Sequence, residues 1–453
     1  MVKVLQKVFF KSVLVMLMMF SFSCKQDAKT QENTTEPEPS DYYTELYRSQ
    51  FHFTPEEKWM NDPNGLVYSN GKYHLFYQYY PDSTVWGPMH WGHAISEDLV
   101  KWEHKPIALF PDKHGLIFSG SAVIDKDNTS GFGTKEKPAM VAIFTYHDME
   151  GEQSGKKDFQ TQGIAYSLDE GDSWTKYEGN PVIGNDGIKD FRDPKVFWND
   201  IEKNWTMLLV AGDHLQIWNS PNLKEWKKVS EFGKDKGAHG GVWECPDLFP
   251  LKIEGTDEEK WVLLISINPG APNGGSGTQY FIGDFDGTTF TTDQTESRWI
   301  DLGRDNYAGV TYNNTPNNER IFIGWMSNWD YARDTPTEKW RSAMTVPRKL
   351  TLREIEDEVF LMNYPLDNMK GVEDEVNPVT QFQLMDNQKK VIPLKYDNQS
   401  EIRFTVKNPQ MKMYFSNEVG DSLEIGIDRK NQVVTFNRNK SGKVDFSEKF
   451  AGG

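Results

Sequence analysis

The chain has 453 residues, of which 50 are Lys or Arg and 67 are Asp or Glu, so its formal net charge is −17. A protein this acidic repels phosphate backbones, which excludes nucleic acid as a partner. The 37% hydrophobic and 13% aromatic content excludes disorder for most of the chain, and the two cysteines exclude a disulfide scaffold.

The N-terminus has the pattern of an export signal. Within residues 1–23, three lysines precede the apolar stretch 13–20, which is too short to span a bilayer as a helix. Cys24 follows, and the arrangement resembles a bacterial lipoprotein signal, although Ser21 stands where such signals usually have Leu. The resemblance implies secretion across the inner membrane and contact with the outer membrane, at the cell surface or the periplasmic face, only through a lipid on this cysteine. Ordinary signal cleavage with an incidental cysteine is the alternative. Residues 24–41 are polar and contain proline, so we expect a flexible tether.

Residues 42–352 predict an all-β domain. Short β-rich runs alternate with Gly, Asn, Asp and Pro turns, and no long run has a helical period. A weak repeat places a polar turn and then an aromatic residue after a strand, at 96–102, 167–174, 220–226 and 283–290. Units of about 60 residues would each fit one four-stranded sheet, which predicts a β-propeller of about five blades. Unrelated hairpins that share turn chemistry would give the same pattern.

The composition changes after the predicted propeller. Residues 353–378 are acidic and resemble a linker, and the stretch 379–440 again shows alternating strand patterns. We therefore expect a partial β-sandwich over residues 379–453.

Three short stretches carry carboxylates that could act in chemistry. Asp62 lies in the run WMNDPNG, Asp193 in FRDP and Glu244 in WECPD. Singly, these stretches fit a turn, a loop ion pair and a strand end with a small buried thiol. A propeller would bring all three to one axis, and two carboxylates that face one glycosidic bond can hydrolyse it. We also expect Arg192 to keep Asp193 ionised.

These stretches resemble the signatures of glycoside hydrolase family 32, the invertases, levanases and inulinases. The resemblance extends over nearly the whole predicted propeller. It rests on HFTP (52–55), WMNDPNG (59–65), LFYQYYP (75–81), Trp86-Gly87, WGHA (91–94), FSGS (118–121), RDP (192–194), ECPD (244–247) and GWMSNW (324–329). It implies a five-bladed propeller followed by a C-terminal β-sandwich, which is shorter here than in the family, so we expect an incomplete sandwich.

The resemblance also implies site residues. Asp62 corresponds to the nucleophile at the anomeric C2 of a β-linked fructosyl unit, Glu244 to the acid and base, and Asp193 to the transition-state stabiliser. The anomeric configuration would then be retained. The fructose subsite would be lined by Trp59, Met60, Asn61, Gln78, Trp86, Phe118, Ser119 and Arg192, with Asp305, Tyr307 and Trp325 at its rim.

The expected substrates are fructans, levan or inulin, and sucrose; the sequence leaves the linkage and endo or exo action open. Two alternatives remain: a fructosyltransferase with the same covalent intermediate, and a carbohydrate-binding propeller without catalysis. We expect a monomer with no cofactor and no metal, since the pair His90 and His93 lacks further ligands at suitable spacing. Cys245 is interpreted as a structural thiol whose surroundings raise its pKa, and residues 270–277 as an ordinary loop.

Overall fold

Five antiparallel sheets follow one another along the chain. The structure is a computed structural model that describes residues 43–368, 383–385, 387–393, 401–407 and 409–451, so the expected signal, Cys24 and the tether lie outside the described residues. In the first three sheets the strands are β1 (Lys58–Ser69), β2 (Lys72–Tyr80), β3 (His90–Ser96), β4 (Glu103–Leu109); β5 (Leu116–Asp125), β6 (Ala139–His147), β7 (Gln160–Ser167), β8 (Thr175–Lys176); and β9 (Phe191–Asn199), β10 (Asn204–Ala211), β11 (Leu215–Ser220), β12 (Lys227–Phe232).

The last two of the five sheets complete the series. Their strands are β13 (Val242–Lys252), β14 (Glu259–Asn268), β15 (Gly277–Phe285), β16 (Phe290–Thr291), β17 (Arg298–Trp299); and β18 (Tyr307–Thr311), β19 (Ile321–Trp325), β21 (Arg348–Ile355), β22 (Glu358–Pro365). The short strand β20 (Trp340–Arg341) lies between β19 and β21 in the chain, but it pairs in parallel with β1 of the first sheet. The helical segments of the described chain are α1 (Met149–Gln153) and a 3₁₀ turn at Pro316–Asn318, and none is long and apolar enough to cross a membrane.

The first strand of each sheet takes part in a closed ring. β1 lies against β5, β5 against β9, β9 against β13, β13 against β18, and β18 against β1. The amide of Asn313, just after β18, donates to the carbonyls of Ala122 at 2.8 Å and Val196 at 3.1 Å, so one side chain joins three blades. The ring and its five sheets confirm the predicted five-bladed propeller.

The sequence repeat corresponds to one turn in four blades. Each copy connects the third and fourth strands of its sheet, and the aromatic residue comes at or just before the start of the fourth strand. In the first blade the Asp98 carboxylate accepts from two backbone N–H groups of the turn, and Asn222 does the same in the third. A short polar side chain that caps its own turn is therefore the physical origin of the repeat.

The apolar side chains fill the gaps between neighbouring blades. Five clusters of buried residues separate the first and second, second and third, third and fourth, fourth and fifth, and fifth and first sheets. Central strands are covered on both faces, and all nine residues of β6 are buried. This double burial explains why such strands have nearly continuous apolar sequences instead of alternating ones.

The fifth sheet extends beyond residue 352, where the sequence predicted the propeller to end. β21 and β22 pair over their whole length, and Leu352 faces Leu361 across the hairpin. An acidic hairpin that is buried on one face only resembles a linker in sequence, which is why the pattern misplaced this boundary. Further on, β23 (Gln410–Ser416), β24 (Ser422–Asp428) and β25 (Val433–Lys440) form a three-stranded antiparallel sheet.

Candidate active site

Every inner strand of the propeller has the same irregularity near its start. In each of the strands β1, β5, β9, β13 and β18, two residues stand opposite one residue of the neighbouring strand, which is the pairing of a β-bulge. The extra residues fall at positions 61–62, 118–119, 193–194, 245–246 and 308–309. A bulge redirects side chains, so five bulges at one level of the ring can turn polar groups toward its axis.

The backbone is strained at the same level. Asp193 has a φ of 62°, Cys245 of 46° and Ala308 of 53°, a region that residues with a side chain adopt rarely. Strained residues of this kind persist where the surrounding structure holds them, and they concentrate at functional sites.

The three predicted acids line one cavity of about 560 Å³. Its other lining residues are Asn61, Gln78, Trp86, Phe118, Ser119, His147, Glu152, Gln160, Asp190, Arg192, Asn268, Trp329, Asp330, Tyr331, Arg333 and Asp334. A second cavity of about 650 Å³ lies at the opposite ends of the strands, near the turn between β1 and β2, and contains none of the three acids. The chemistry therefore points to the smaller cavity.

Asp62 is held by two neutral donors. The Asn61 amide donates to Oδ1 at 3.0 Å and the Ser119 hydroxyl to Oδ2 at 2.8 Å, while the Trp59 indole orients Asn61 at 2.8 Å. Burial, followed by repulsion from Glu244, raises the pKa of Asp62 from 3.8 to about 6.

Asp193 and Asp62 share contact with Cys245. The Cys245 thiol lies 3.5 Å from Oδ2 of Asp193 and 3.7 Å from Oδ2 of Asp62, and its backbone N–H donates to Asp193 at 3.0 Å. Burial, followed by the negative charges of the neighbouring acids, raises the pKa of the thiol, as expected from the sequence. A protonated thiol here can donate to only one carboxylate at a time.

Arg192 lowers the pKa of Asp193, as expected, but burial of the carboxyl outweighs this effect. Burial raises the pKa of Asp193 to about 7, although Arg192 acts in the opposite direction and the other two acids add to the rise. The guanidinium faces Glu244 instead: Nε and Nη2 donate to Oε1 at 3.1 and 2.9 Å, and Nη1 donates to Asp190 at 2.8 Å. Both side chains line the cavity, but the hydrogen bonds of the guanidinium go to Glu244 and Asp190 and not to Asp193.

Glu244 is bound at both oxygens. Arg192 donates to Oε1 and the Tyr307 hydroxyl donates to Oε2. The Glu244 side chain is 18% exposed, whereas Asp193 is buried at 5%. The longer acid thus lies nearer the cavity opening, where a leaving group would depart.

Five of the other predicted residues do not line the cavity. Trp59, Met60 and Trp325 are fully buried, and the buried Tyr307 packs its ring against Trp325 and donates its hydroxyl to Glu244. Trp329 covers the two buried indoles, with ring centroids 5.9 Å from Trp59 and 4.8 Å from Trp325. The fifth, Asp305, bonds to Tyr331 behind the wall. The other predicted contacts, Asn61, Gln78, Trp86, Phe118, Ser119 and Arg192, do line it.

Sequence reasoning missed about half of the lining. Asp190 stands two residues before Arg192, and Trp329 ends the quoted run GWMSNW, so both had a signal nearby. The missed wall residues without such a signal are His147, Glu152, Gln160, Asn268, Asp330, Tyr331, Arg333 and Asp334.

Metal ligation has no candidate among the described residues, where no group of three or more His, Cys, Asp or Glu side chains is arranged around one point. His93 packs in the core against His74, with ring nitrogens 3.1 Å apart. His90 bonds the carbonyl of Pro88 at 3.0 Å.

Glycosidases use two carboxyl groups that flank the bond they cleave, and this cavity at one end of the propeller contains such groups. The model of the glycosyl hydrolases family 32 N-terminal domain matches residues 52–365, and the chain belongs to this family. It is 49% identical over 422 residues to a levanase of Bacillus subtilis, covering 91% of this chain and 61% of the levanase. It is 41% identical to an extracellular exo-inulinase of Aspergillus awamori, covering 90% and 82%.

Solved structures agree in fold. The crystal structure of exo-inulinase from Aspergillus awamori superposes with a TM-score of 0.76 at 37% identity, covering 90% of this chain and 86% of that one. The fructofuranosidase from Schwanniomyces occidentalis complexed with fructose also gives a TM-score of 0.76, at 36% identity over 88% and 82% of the two chains.

Proposed function

We propose that this protein hydrolyses β-fructofuranosidic bonds in fructans, levan or inulin, and in sucrose, with retention of configuration. The observation that carries the proposal is the meeting of Asp62, Asp193 and Glu244 in one cavity, each on a bulged inner strand of a different blade. Family membership and the similarity to a levanase and an exo-inulinase support it.

In the first step, Asp62 attacks C2 of the fructosyl unit while Glu244 gives a proton to the leaving oxygen. A covalent fructosyl ester of Asp62 forms, and the shortened chain or glucose departs. Asn61 and Ser119 hold the attacking carboxylate from both oxygens, which fixes its direction. In the second step, Glu244 takes a proton from water, which attacks C2 and releases fructose and the free carboxylate.

Asp193 acts beside the reacting carbon. Its buried carboxylate would accept hydrogen bonds from fructose hydroxyls, and these bonds strengthen as positive charge develops on the sugar ring. The Thr145 hydroxyl, which accepts from the Asp193 N–H at 3.0 Å, and the Cys245 N–H fix the position of this residue.

Fructose release tests the proposal. The purified protein is incubated with levan, inulin and sucrose, in parallel with Asp62→Asn and Glu244→Gln. We expect free fructose from the parent and a loss of at least about a thousandfold in each variant. No release from any substrate contradicts the proposal, and growth of oligosaccharides without free fructose indicates a transferase. Fructose alone from a polymer means exo action, and a ladder of oligomers means endo action.

We also propose that the protein is exported and held at the outer membrane by a lipid on Cys24, through the tether 24–41. The support is the sequence pattern, together with the extracellular location in the name of the exo-inulinase relative. Mass spectrometry of the N-terminal peptide tests it: we expect acyl chains on Cys24, and Cys24→Ala should leave the protein free of the membrane fraction. An unmodified Cys24 contradicts the anchor.

Two further expectations stay proposals. The first is a monomer, which size-exclusion chromatography with light scattering tests. The second is a partial C-terminal β-sandwich over residues 379–453, which the three-stranded sheet β23–β25 supports; the hairpin that ends at Pro365 shortens the expected linker 353–378.

A further inference from the structure

One wall of the cavity is a loop of the fifth blade. Trp329, Asp330 and Tyr331 line the cavity from the segment between β19 and β20. The segment lies outside the strands and is held by local backbone hydrogen bonds, such as that from the Tyr331 N–H to the Asn328 carbonyl at 3.1 Å, together with side-chain contacts. Those contacts come from two places, the propeller and the C-terminal sheet.

Tyr331 is held between an acid and a base. Its ring is 1% exposed, and its hydroxyl donates to Oδ1 of Asp305 at 2.5 Å. Nη2 of Arg438 donates to the same hydroxyl at 2.7 Å, and Nη1 donates to Oδ2 of Asp305 at 2.6 Å. The three side chains form a closed set of hydrogen bonds, so displacement of one shifts the other two.

Arg438 belongs to β25 of the C-terminal sheet. Its Nε donates to the carbonyl of Phe450 at 2.7 Å, and the guanidinium lies 3.9 Å from the centre of the Phe450 ring. The Arg438 side chain is 17% exposed, so its ion pair with Asp305 is screened less than a surface pair. The residue is thus rigidly placed before it reaches the propeller.

A second, weaker contact acts on the neighbouring residue. Asp330 pairs with Arg304 of the propeller at 2.9 Å and with Lys449 at 2.8 Å. Lys449 is 64% exposed, so solvent and salt screen this pair and it contributes little.

We propose that Arg438 is a positioning residue for the substrate cavity, which it reaches from the C-terminal sheet by fixing Asp305 and Tyr331. This rests on the proposed function, in which the cavity holds a fructosyl substrate. Among the described contacts, the partners of the Tyr331 hydroxyl are Asp305 and Arg438, and the three catalytic acids are not among them. Loss of Arg438 should therefore weaken substrate binding more than it slows the chemical step.

The test measures kcat and KM of Arg438→Ala in the full chain on levan and on a fructo-trisaccharide. We expect KM to rise about tenfold and kcat to stay within about twofold. Arg438→Lys should recover part of the affinity, because a lysine keeps the charge but not the two-pronged geometry. Lys449→Ala should raise KM less than Arg438→Ala. The matched control is Arg429→Ala, an exposed arginine between β24 and β25, which should change neither constant.

A double variant distinguishes positioning from general damage. Asp305→Ala with Arg438→Ala should raise KM no more than the larger single effect, because both residues act through Tyr331. Unchanged KM in Arg438→Ala, or additive effects in the double variant, overturns the proposal. If Arg438→Ala does not fold, Arg438→Lys and Asp305→Asn give the same KM reading.

The outcome stays separable from the proposed function. If the parent protein releases no fructose from any substrate, the proposed function fails. The positioning role is then read from titration calorimetry of the parent and Arg438→Ala with a fructo-oligosaccharide. Equal affinities, or no binding by the parent, would overturn it.

Discussion

At the scale of single residues, the site is defined by burial of charge. Asp62 and Asp193 both have a raised pKa because the propeller removes them from water and places acids close together. Burial of these two carboxyl groups, the proposed nucleophile and stabiliser, disfavours their charged forms and so lowers the stability of the folded protein at neutral pH. This loss of folding stability can be measured, because lower pH or substitution of the acid removes the buried charge.

Asp62→Asn should stabilise the protein at neutral pH while it abolishes activity. The folded pKa of about 6 exceeds the unfolded value near 3.8, so the native state binds more protons between these values and stability falls as pH rises through them. The variant escapes this cost, and we expect a gain of about 3 kcal/mol at pH 8 and less than about 1 kcal/mol at pH 4. Urea denaturation at both pH values measures it, with the exposed Asp127→Asn as control. Equal stability of parent and variant at pH 8 would contradict the raised pKa.

The raised pKa of Asp62 should also appear in the pH dependence of catalysis. In the proposed mechanism Asp62 must be ionised to attack, so kcat/KM should fall on the acidic side with a midpoint near pH 6, in place of one near 4. The negative charge of Glu244 repels that of Asp62 and so contributes to the raised pKa of Asp62. In Glu244→Gln, assayed with a fructoside whose leaving group needs no proton, the acidic midpoint should move to lower pH. A midpoint that stays in place would assign the acidic limb to another group.

At the scale of strands, the bulges depend on a buried ion pair behind them. Lys195 of β9 lies 3.1 Å from Asp247 of β13, and Thr311 of β18 donates to the same carboxylate oxygen through its N–H at 2.6 Å and its hydroxyl at 2.8 Å. The Lys195 ammonium also donates to the Thr311 carbonyl at 2.6 Å. Three inner strands are joined just behind Asp193 and Glu244, which sets the register of the bulges.

Lys195→Met should therefore destabilise the protein by about 3–5 kcal/mol, because it leaves the Asp247 carboxylate buried without its cation. The side chains of the pair are 5% and 1% exposed. Lys203→Met, which breaks an exposed pair with Asp200, is the matched control and should cost less than about 0.5 kcal/mol. Denaturant unfolding compares the two. Similar small losses in both variants would show that the inner strands hold their register without the ion pair.

The strands also show what the sequence could and could not predict. The turn at Asp98 and its copies is local chemistry, so the pattern revealed the blade repeat and the number of blades. The bulges depend on which residue stands opposite, and the loop that carries Tyr331 is placed by a partner 107 residues away. Sequence motifs located the acids because each acid lies in a short local run of residues. They missed half of the cavity wall because those residues are placed by partners far away in the sequence.

At the scale of the whole molecule, the closed ring makes the five blades interdependent. Each apolar cluster belongs to two blades, so removal of one blade exposes the faces of two others. Asn313 fastens this ring: its backbone N–H donates to Leu66 at 2.9 Å, its carbonyl accepts from Tyr68 at 3.0 Å, and its amide reaches the second and third blades.

Asn313→Ala should accordingly lower the stability of the propeller as a unit. The change leaves the carbonyls of Ala122 and Val196 without their donor, and we expect a loss of about 2 kcal/mol. Circular dichroism and tryptophan fluorescence should still change at one common midpoint during denaturation, because no blade has a core of its own. Two separate transitions would show that the blades unfold independently and that closure of the ring does not control stability. A common midpoint shifted to lower denaturant would show that one amide on the axis contributes to the stability of all five sheets.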